Sequence, residues 1–288
     1  MVSAPSAIRY RPEIDGLRAI AVVAVVLYHA GFTTFSGGFV GVDVFFVISG
    51  YLITSLIISD VSANKFSLSY FYERRIRRLL PALLIVCVTT AVFALCWMPP
   101  GQYERFNLSL LAVSAFASNF YFWLQAGYFA PSVKFEPLIH TWSLGVEEQF
   151  YLIFPPFIVA AVRTRKLSLS AVVGTIVVAS LLVSVYGSVY HPSATFYLLP
   201  GRIWELGVGA MLALESADRP SHLPTPLSSF YAWIGLLALI FSILVFNEKL
   251  AFPGIYVLVP VAGAALIIKF AGRHEIVVDE SSGVVPLC

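Results

Sequence analysis

The sequence predicts an all-α fold, a polytopic bundle of about eight transmembrane helices with one further segment that does not cross. Three observations carry this reading. Of the 288 residues 59% are hydrophobic and 12% charged, with a mean hydropathy of +0.85, far more apolar and far less charged than a soluble domain. Apolar segments long enough to span recur at about 17–35, 39–59, 79–98, 108–125, 142–162, 167–189, 200–215, 229–247 and 252–270. The lysines and arginines between them follow the positive-inside rule best with eight crossings.

The first segment follows Asp15-Gly16-Leu17-Arg18 and ends in Tyr28-His29-Ala30-Gly31. Its apolar run is too long for a signal peptide and lacks a small-residue cleavage site, so this helix is expected to stay in the product. From Arg18 to His29 is eleven positions, three turns plus roughly 20°, with a rise of roughly 16 Å. The two side chains share a face. With Arg18 at the boundary of a core about 30 Å thick, His29 is expected near mid-depth, where an ionisable group marks a functional site.

The second segment opens Gly37-Gly38-Phe39-Val40-Gly41-Val42-Asp43 and continues Phe45-Phe46-Val47-Ile48-Ser49-Gly50. Its short link to the first helix makes an antiparallel hairpin, and its glycines permit close approach. Asp43 stands near the helix N-terminus, which tolerates an anion, either as a surface cap or as a buried functional group.

Before the third segment comes Glu73-Arg74-Arg75-Ile76-Arg77-Arg78-Leu79-Leu80-Pro81, with the proline suited to a helix's first turn. The bland account of Arg74, Arg75, Arg77 and Arg78 is topology and contact with anionic lipid. The sharper one is a polyphosphate site, since guanidinium forks match phosphate oxygens. Cys87 and Cys96 in this segment lie on opposite faces about 13 Å apart, which excludes a disulfide between them.

The fourth segment carries Ser109, Ser114, Ser118, Asn119 and the belt Phe120-Tyr121-Phe122-Trp123. If it does not cross, Arg163, Arg165, Lys166, Arg219, Lys269 and Arg273 join the inner side, at the loss of Lys134 and Lys249. We therefore expect 99–141 to be an outer-side excursion with the character of a re-entrant piece, and the N-terminus to be cytoplasmic.

The fifth segment begins Trp142-Ser143-Leu144-Gly145-Val146-Glu147-Glu148-Gln149. Carboxylates here are too polar to face lipid. Glu147 is either a helper that orients a mid-depth His29 or a structural hydrogen-bonding group. In 200–215, Arg202 and Glu205 lie three apart on one face, as a structural ion pair or a substrate contact. His140, His191, His222 and His274 suggest no role, and no pair has metal-ligand spacing. Residues 1–273 read as one transmembrane domain, and 274–288 as a disordered polar tail.

Taken in order, the Arg18-to-His29 spacing, Gly41 to Leu52, Arg74-Arg75 to Pro81, Thr141-Trp142-Ser143-Leu144 with Glu147, and Arg202 to Glu205 resemble acyltransferase family 3. These are multi-pass membrane enzymes, many of which O-acetylate bacterial surface polysaccharides. The resemblance implies a protein of the cell's inner membrane that moves acetyl from acetyl-CoA to a carbohydrate hydroxyl. It implies His29 as catalytic imidazole with Arg18 its partner and Glu147 a buried helper. Arg74, Arg75, Arg77 and Arg78 would meet the CoA phosphates, while Asp43, Trp142, Arg202 and Glu205 would contact substrate. Acetyl-CoA, a carbohydrate acceptor and the bilayer are the expected partners, with neither metal nor nucleic acid. The family's later helices, with their Ser-Tyr and Leu-Trp-His pattern, are not matched, so a C-terminally shortened chain, with or without activity, is expected. The rival reading is a proton-coupled transporter, against which the sequence shows no inverted repeat.

Overall fold

The computed structural model describes residues 11–125, 136–164, 168–218 and 224–271. The tail 274–288, His222 and Lys134 lie outside them. All regular structure among the described residues is helical: α1 Pro12–His29, α2 Gly41–Ser62, α3 Leu68–Trp97, α4 Pro100–Ser114, α5 Ser118–Leu124, α6 Trp142–Thr164, α7 Leu169–Tyr190, α8 Pro192–Tyr197, α9 Leu199–Asp218, α10 Thr225–Val245 and α11 Leu258–Phe270.

Five helical stretches are long and apolar enough to cross a membrane: Gly38–Ser62, Leu68–Trp97, Ile139–Ala161, Leu169–Tyr190 and Pro226–Val245. The reasons the others fall short are local. α1 carries Glu13, Asp15 and Arg18; α9 carries Arg202, Glu205 and Glu215; α11 has only 13 residues. The outward faces of the bundle are apolar, with Leu84, Ile85, Leu95 and Trp97 exposed along α3 and Leu182, Val189 and Leu237 elsewhere. A surface of this kind is suited to lipid.

α2 is the central post. It packs against α9 most extensively and touches α1, α6 and α11 as well. Its buried face, Asp43, Val44, Phe46, Val47, Ile48, Gly50, Tyr51, Ile53, Thr54 and Ile57, is broad because neighbours surround it on several sides. Val42, Phe45, Ser49, Leu52 and Leu56, at alternating spacings of three and four, remain half-exposed as a single stripe.

Contact between α2 and α9 requires glycine. A Cβ on Gly50 would collide with the backbone carbonyl of Leu206, and one on Gly209 with the carbonyl of Val47. Alanine in a loosely packed helix is better than glycine by about 1 kcal/mol. Here the sign should reverse: Gly50→Ala is expected to destabilise by roughly 1–3 kcal/mol, as overpacking does. An unchanged or raised melting temperature in detergent would contradict this packing.

Three sequence expectations change. The first helix runs from Pro12 and stops at His29, earlier than expected, because the chain turns at Gly31 with φ +82. The third helix begins at Leu68, not near Pro81, so the arginines ride on a helix rather than a connection. Ser67 caps it, accepting from the Tyr70 amide at 3.4 Å. The segment 108–125 is broken into α4 and α5 at Phe116, whose φ is +52. Neither piece is among the five stretches long and apolar enough to cross a membrane.

The α1–α2 hairpin forms as expected. Gly38 lies against Ala24 and Gly41 against Ala21, so the two helices run antiparallel with Arg18 at the level of Phe45 to Ser49.

Candidate active site

A cleft of about 260 Å³ opens beside the half-exposed stripe of α2, on the Arg18 side of the bundle. Arg18 of α1, Phe45, Ser49 and Leu52 of α2, Arg75, Arg78, Leu79 and Ala82 of α3, and Glu147 and Tyr151 of α6 line it. Helical phase selects the arginines. Positions 75, 78, 79 and 82 share one face, which turns Arg75 and Arg78 inward. Arg74 instead bonds Asp60 at 2.9 Å and lies over the Tyr70 ring, while Arg77 pairs with Glu73 at 2.7 Å on the exposed face.

Arg75 is the most constrained of the three. Its Nε donates to Glu148 Oε1 at 2.9 Å, its guanidinium lies 3.3 Å from the Tyr151 ring centre, and Glu147 Oε2 is 3.9 Å from its Nη2. Glu147 is itself anchored twice. Ser49 Oγ donates to Oε1 at 3.0 Å, and the Tyr151 hydroxyl donates to Oε2 at 3.1 Å. Arg18 is looser, its side chain 41% exposed with Asp15 Oδ1 3.5 Å away, and Arg78 is exposed. Arg18 and Arg78 therefore present guanidinium groups to the cleft beside a rigid Arg75. Such an arrangement suits a ligand bearing more than one phosphate.

His29 is at the other end of α1. It is the helix's last residue and exposed. Its Nδ1 lies 2.9 Å from the Val25 carbonyl. A carbonyl can only accept, so Nδ1 carries the hydrogen and Nε2 of the neutral ring keeps its lone pair. The Tyr28 ring meets the imidazole edge-on at 5.0 Å between centres, and the Tyr28 hydroxyl donates to Glu248 at 2.6 Å, tying this end of α1 to the link before α11. His140, just ahead of α6, interacts electrostatically with His29.

Glu147 does not join His29. Its partners Ser49, Tyr151 and Arg75 place it at the level of Arg18, about 16 Å along the helix axis from His29. The expected orienting contact is thus replaced by a contact with the arginine cleft. α6 meets α2 one turn and more below the His29 end, which carries Glu147 past it.

Asp43, Trp142, Arg202 and Glu205 come together in a third place, closed to solvent. Arg202 Nη2 bonds Asp43 Oδ1 at 2.5 Å and Nη1 lies 3.1 Å from Glu205 Oε1, all three fully buried. The rings of Phe46, Trp142, Phe196 and Phe252 surround the guanidinium at 5.3, 5.6, 5.5 and 5.7 Å. The i,i+3 pair was legible in the sequence. Asp43, 159 positions away from Arg202, was not legible as its partner.

Residues that sequence reasoning missed are Ser49, Tyr151 and Glu148. Tyr151 follows Glu147 by four positions on one helix face, a spacing that would have found it. Outside the spans, burial pushes the Glu136 carboxyl above its ordinary range, against the opposing pull of Arg105 at 3.4 Å. Among the described residues no group of three His, Cys, Asp or Glu could hold a metal ion. A separate groove of about 320 Å³ between α1, α10 and α11 is lined by apolar residues such as Leu17, Ile20, Trp233 and Phe270 and contains none of the candidate residues.

Comparison with known proteins adds a family to this geometry. A family model described as an acyltransferase domain matches residues 11–274. An uncharacterized protein of Haemophilus influenzae is 34% identical over 243 residues, which cover 81% of this chain and 99% of that protein. The peptidoglycan O-acetyltransferase OatA of Listeria monocytogenes is 36% identical over 211 residues, and the O-acetyltransferase OatA of Staphylococcus aureus 35% over 209. In both cases the match takes in 71% of this chain and 34% of the relative, so the chain spans about a third of the length of these enzymes. No solved structure matches.

Proposed function

Because this chain belongs to the acyltransferase domain family, whose model covers residues 11–274, we propose that it is an integral-membrane O-acetyltransferase. In this reading it moves acetyl from acetyl-CoA, met on the cytoplasmic side, to a carbohydrate hydroxyl on the outer side of the inner membrane. The OatA relatives, one named for peptidoglycan, support the acetyl group and the class of acceptor. α1, α9 and α11 join the five apolar helices as further spans, and the N-terminus is cytoplasmic, as the charge distribution favours.

One observation carries the proposal: Arg18, Arg75 and Arg78 converge on one cleft beside the middle of the α2 stripe, with His29 about 16 Å higher on the same helix as Arg18. CoA phosphates held by these guanidinium groups would leave the long pantetheine arm free to lie along the half-exposed stripe of Ser49, Phe45 and Val42. The thioester would thereby approach the His29 end. At that end the Nε2 lone pair removes the proton of the acceptor hydroxyl, or takes the acetyl group for relay. In the first case the ester C–O bond forms as the thioester C–S bond breaks. In the relay an Nε2–C bond forms as C–S breaks, and itself breaks when the hydroxyl oxygen forms the ester. In both the CoA sulfur leaves as thiolate and the hydroxyl proton passes to it by way of Nε2. Ser49, Glu147, Glu148 and Tyr151 fix Arg75. The Asp43–Arg202–Glu205 cluster holds α2 and α9 together and acts on substrate only through that framework.

The test uses labelled acetyl-CoA with membranes from cells with and without this chain. Chain-dependent transfer of label to a carbohydrate acceptor is expected, and its absence opposes the proposal. The donor site is checked separately by thermal melting with CoA. At about 100 times its Kd a ligand adds about 2.7 kcal/mol. Arg78→Ala is expected to lose most of that gain while melting like the parent protein without ligand, and Arg75→Ala to lose it from a lower starting melting temperature, because it leaves Glu148 and Glu147 without their guanidinium. Equal stabilisation of parent and variants would remove these arginines from donor binding.

A further inference from the structure

Asp43, Arg202 and Glu205 bring two carboxyl groups and one guanidinium into a space from which water is excluded. Their formal charges do not cancel. Asp43 Oδ1 and Glu205 Oε1 are met by the two ends of the Arg202 fork, at 2.5 and 3.1 Å. Asp43 Oδ2 and both Glu205 oxygens make no hydrogen bond among the described residues, and neither do Arg202 Nε and Nη1, so the 3.1 Å approach of Nη1 to Oε1 is an ion pair without hydrogen-bond alignment. The elements packed around the site supply rings rather than charges: Phe46 from α2, Trp142 from α6, Phe196 from α8 and Phe252 ahead of α11. The titratable groups acting here are the three themselves, and both carboxyl groups meet the same Arg202 guanidinium.

Two ionised carboxylates cannot bond to each other, because each only accepts. Adjacent carboxylates in a dry site resolve this by holding a proton between them. The alternative, an excess negative charge without donors in the membrane interior, carries a large desolvation cost. Helix N-termini do not remove it. Asp43 stands in the first turn of α2, but Glu205 is beyond the first turn of α9, where the dipole's influence has fallen away.

We propose that Asp43 and Glu205 together bind one proton, so that a carboxylic acid–carboxylate pair faces the Arg202 guanidinium and the cluster is neutral. This is a proton-binding site inside the bundle, independent of the acetyl-transfer reading. No bond other than the shared O–H is made. The proton also bridges α2 to α9, two turns above the Gly50–Leu206 contact on α2.

Infrared spectroscopy of the reconstituted chain tests this. The difference between parent and Glu205→Gln is expected to contain the carbonyl stretch of a protonated carboxylic acid, and labelling glutamate or aspartate carboxyls with ¹³C should shift it. Glutamine is a neutral isostere of the acid, so this variant is also expected to fold and melt near the parent. A flat difference spectrum in the acid carbonyl region overturns the proposal. So does failure of Glu205→Gln to fold, because a site that already holds a neutral acid accepts a neutral amide of the same shape. The asymmetry is checked by Asp43→Asn combined with Glu205→Gln, which leaves the guanidinium unpaired and is expected to lower the melting temperature well below that of the single variant. Equal melting of the single and double variants also overturns it.

Discussion

His29→Ala is expected to abolish detectable acetyl transfer while leaving the chain inserted and folded. The two halves of that expectation have separate grounds. A positioned imidazole acting as general base is worth about 10²–10⁴ in rate, and a covalent relay through it at least as much. Stability should hardly change, because His29 is the exposed final residue of α1 and its hydrogen bond goes to Val25 in the same helix. The neighbouring Tyr28, which ties α1 to Glu248, is untouched by the substitution. The measurement is labelled acetyl transfer in membranes at matched protein level, with melting as the control. Transfer at the parent rate would remove His29 from the chemistry.

Arg202→Ala is expected to have the largest effect on stability, about 3–5 kcal/mol, the usual consequence of stripping one partner from a buried ion pair. Against a total of about 5–15 kcal/mol such a loss leaves little folded protein. The substitution also removes the group at the centre of four aromatic rings, so packing is lost together with charge. Arg202→Lys should rescue only part of this, since an ammonium cannot reach Asp43 and Glu205 with a planar fork. Melting in detergent and resistance to proteolysis report the outcome. A variant that melts like the parent would mean the cluster does not hold α2 to α9.

The sites differ in how far they were legible beforehand. Arg18 and His29 lie on one helix, so their shared face and spacing follow from helical geometry alone. Their depth did not follow, because it depends on where α1 stops. Gly31 ends the helix immediately after His29, while the apolar letters continue into Phe32. For the arginines, composition told of four cations but not which two face the cleft. Once α3 is known to start at Leu68 rather than near Pro81, its phase turns Arg75 and Arg78 inward and Arg77 outward.

By itself the sequence determined the all-helical membrane character and the α1–α2 hairpin. These are properties of composition and of local spacing, which act over a few turns of helix. The tertiary structure alone decided who meets whom. Glu147 lies beside Ser49 and Arg75 rather than His29, and Asp43 meets Arg202 across 159 positions. The reason is physical. Apolar helices in a bundle slide and rotate against one another until small residues such as Gly50 and Gly209 let backbones touch, and that register sets the level of every polar group they carry.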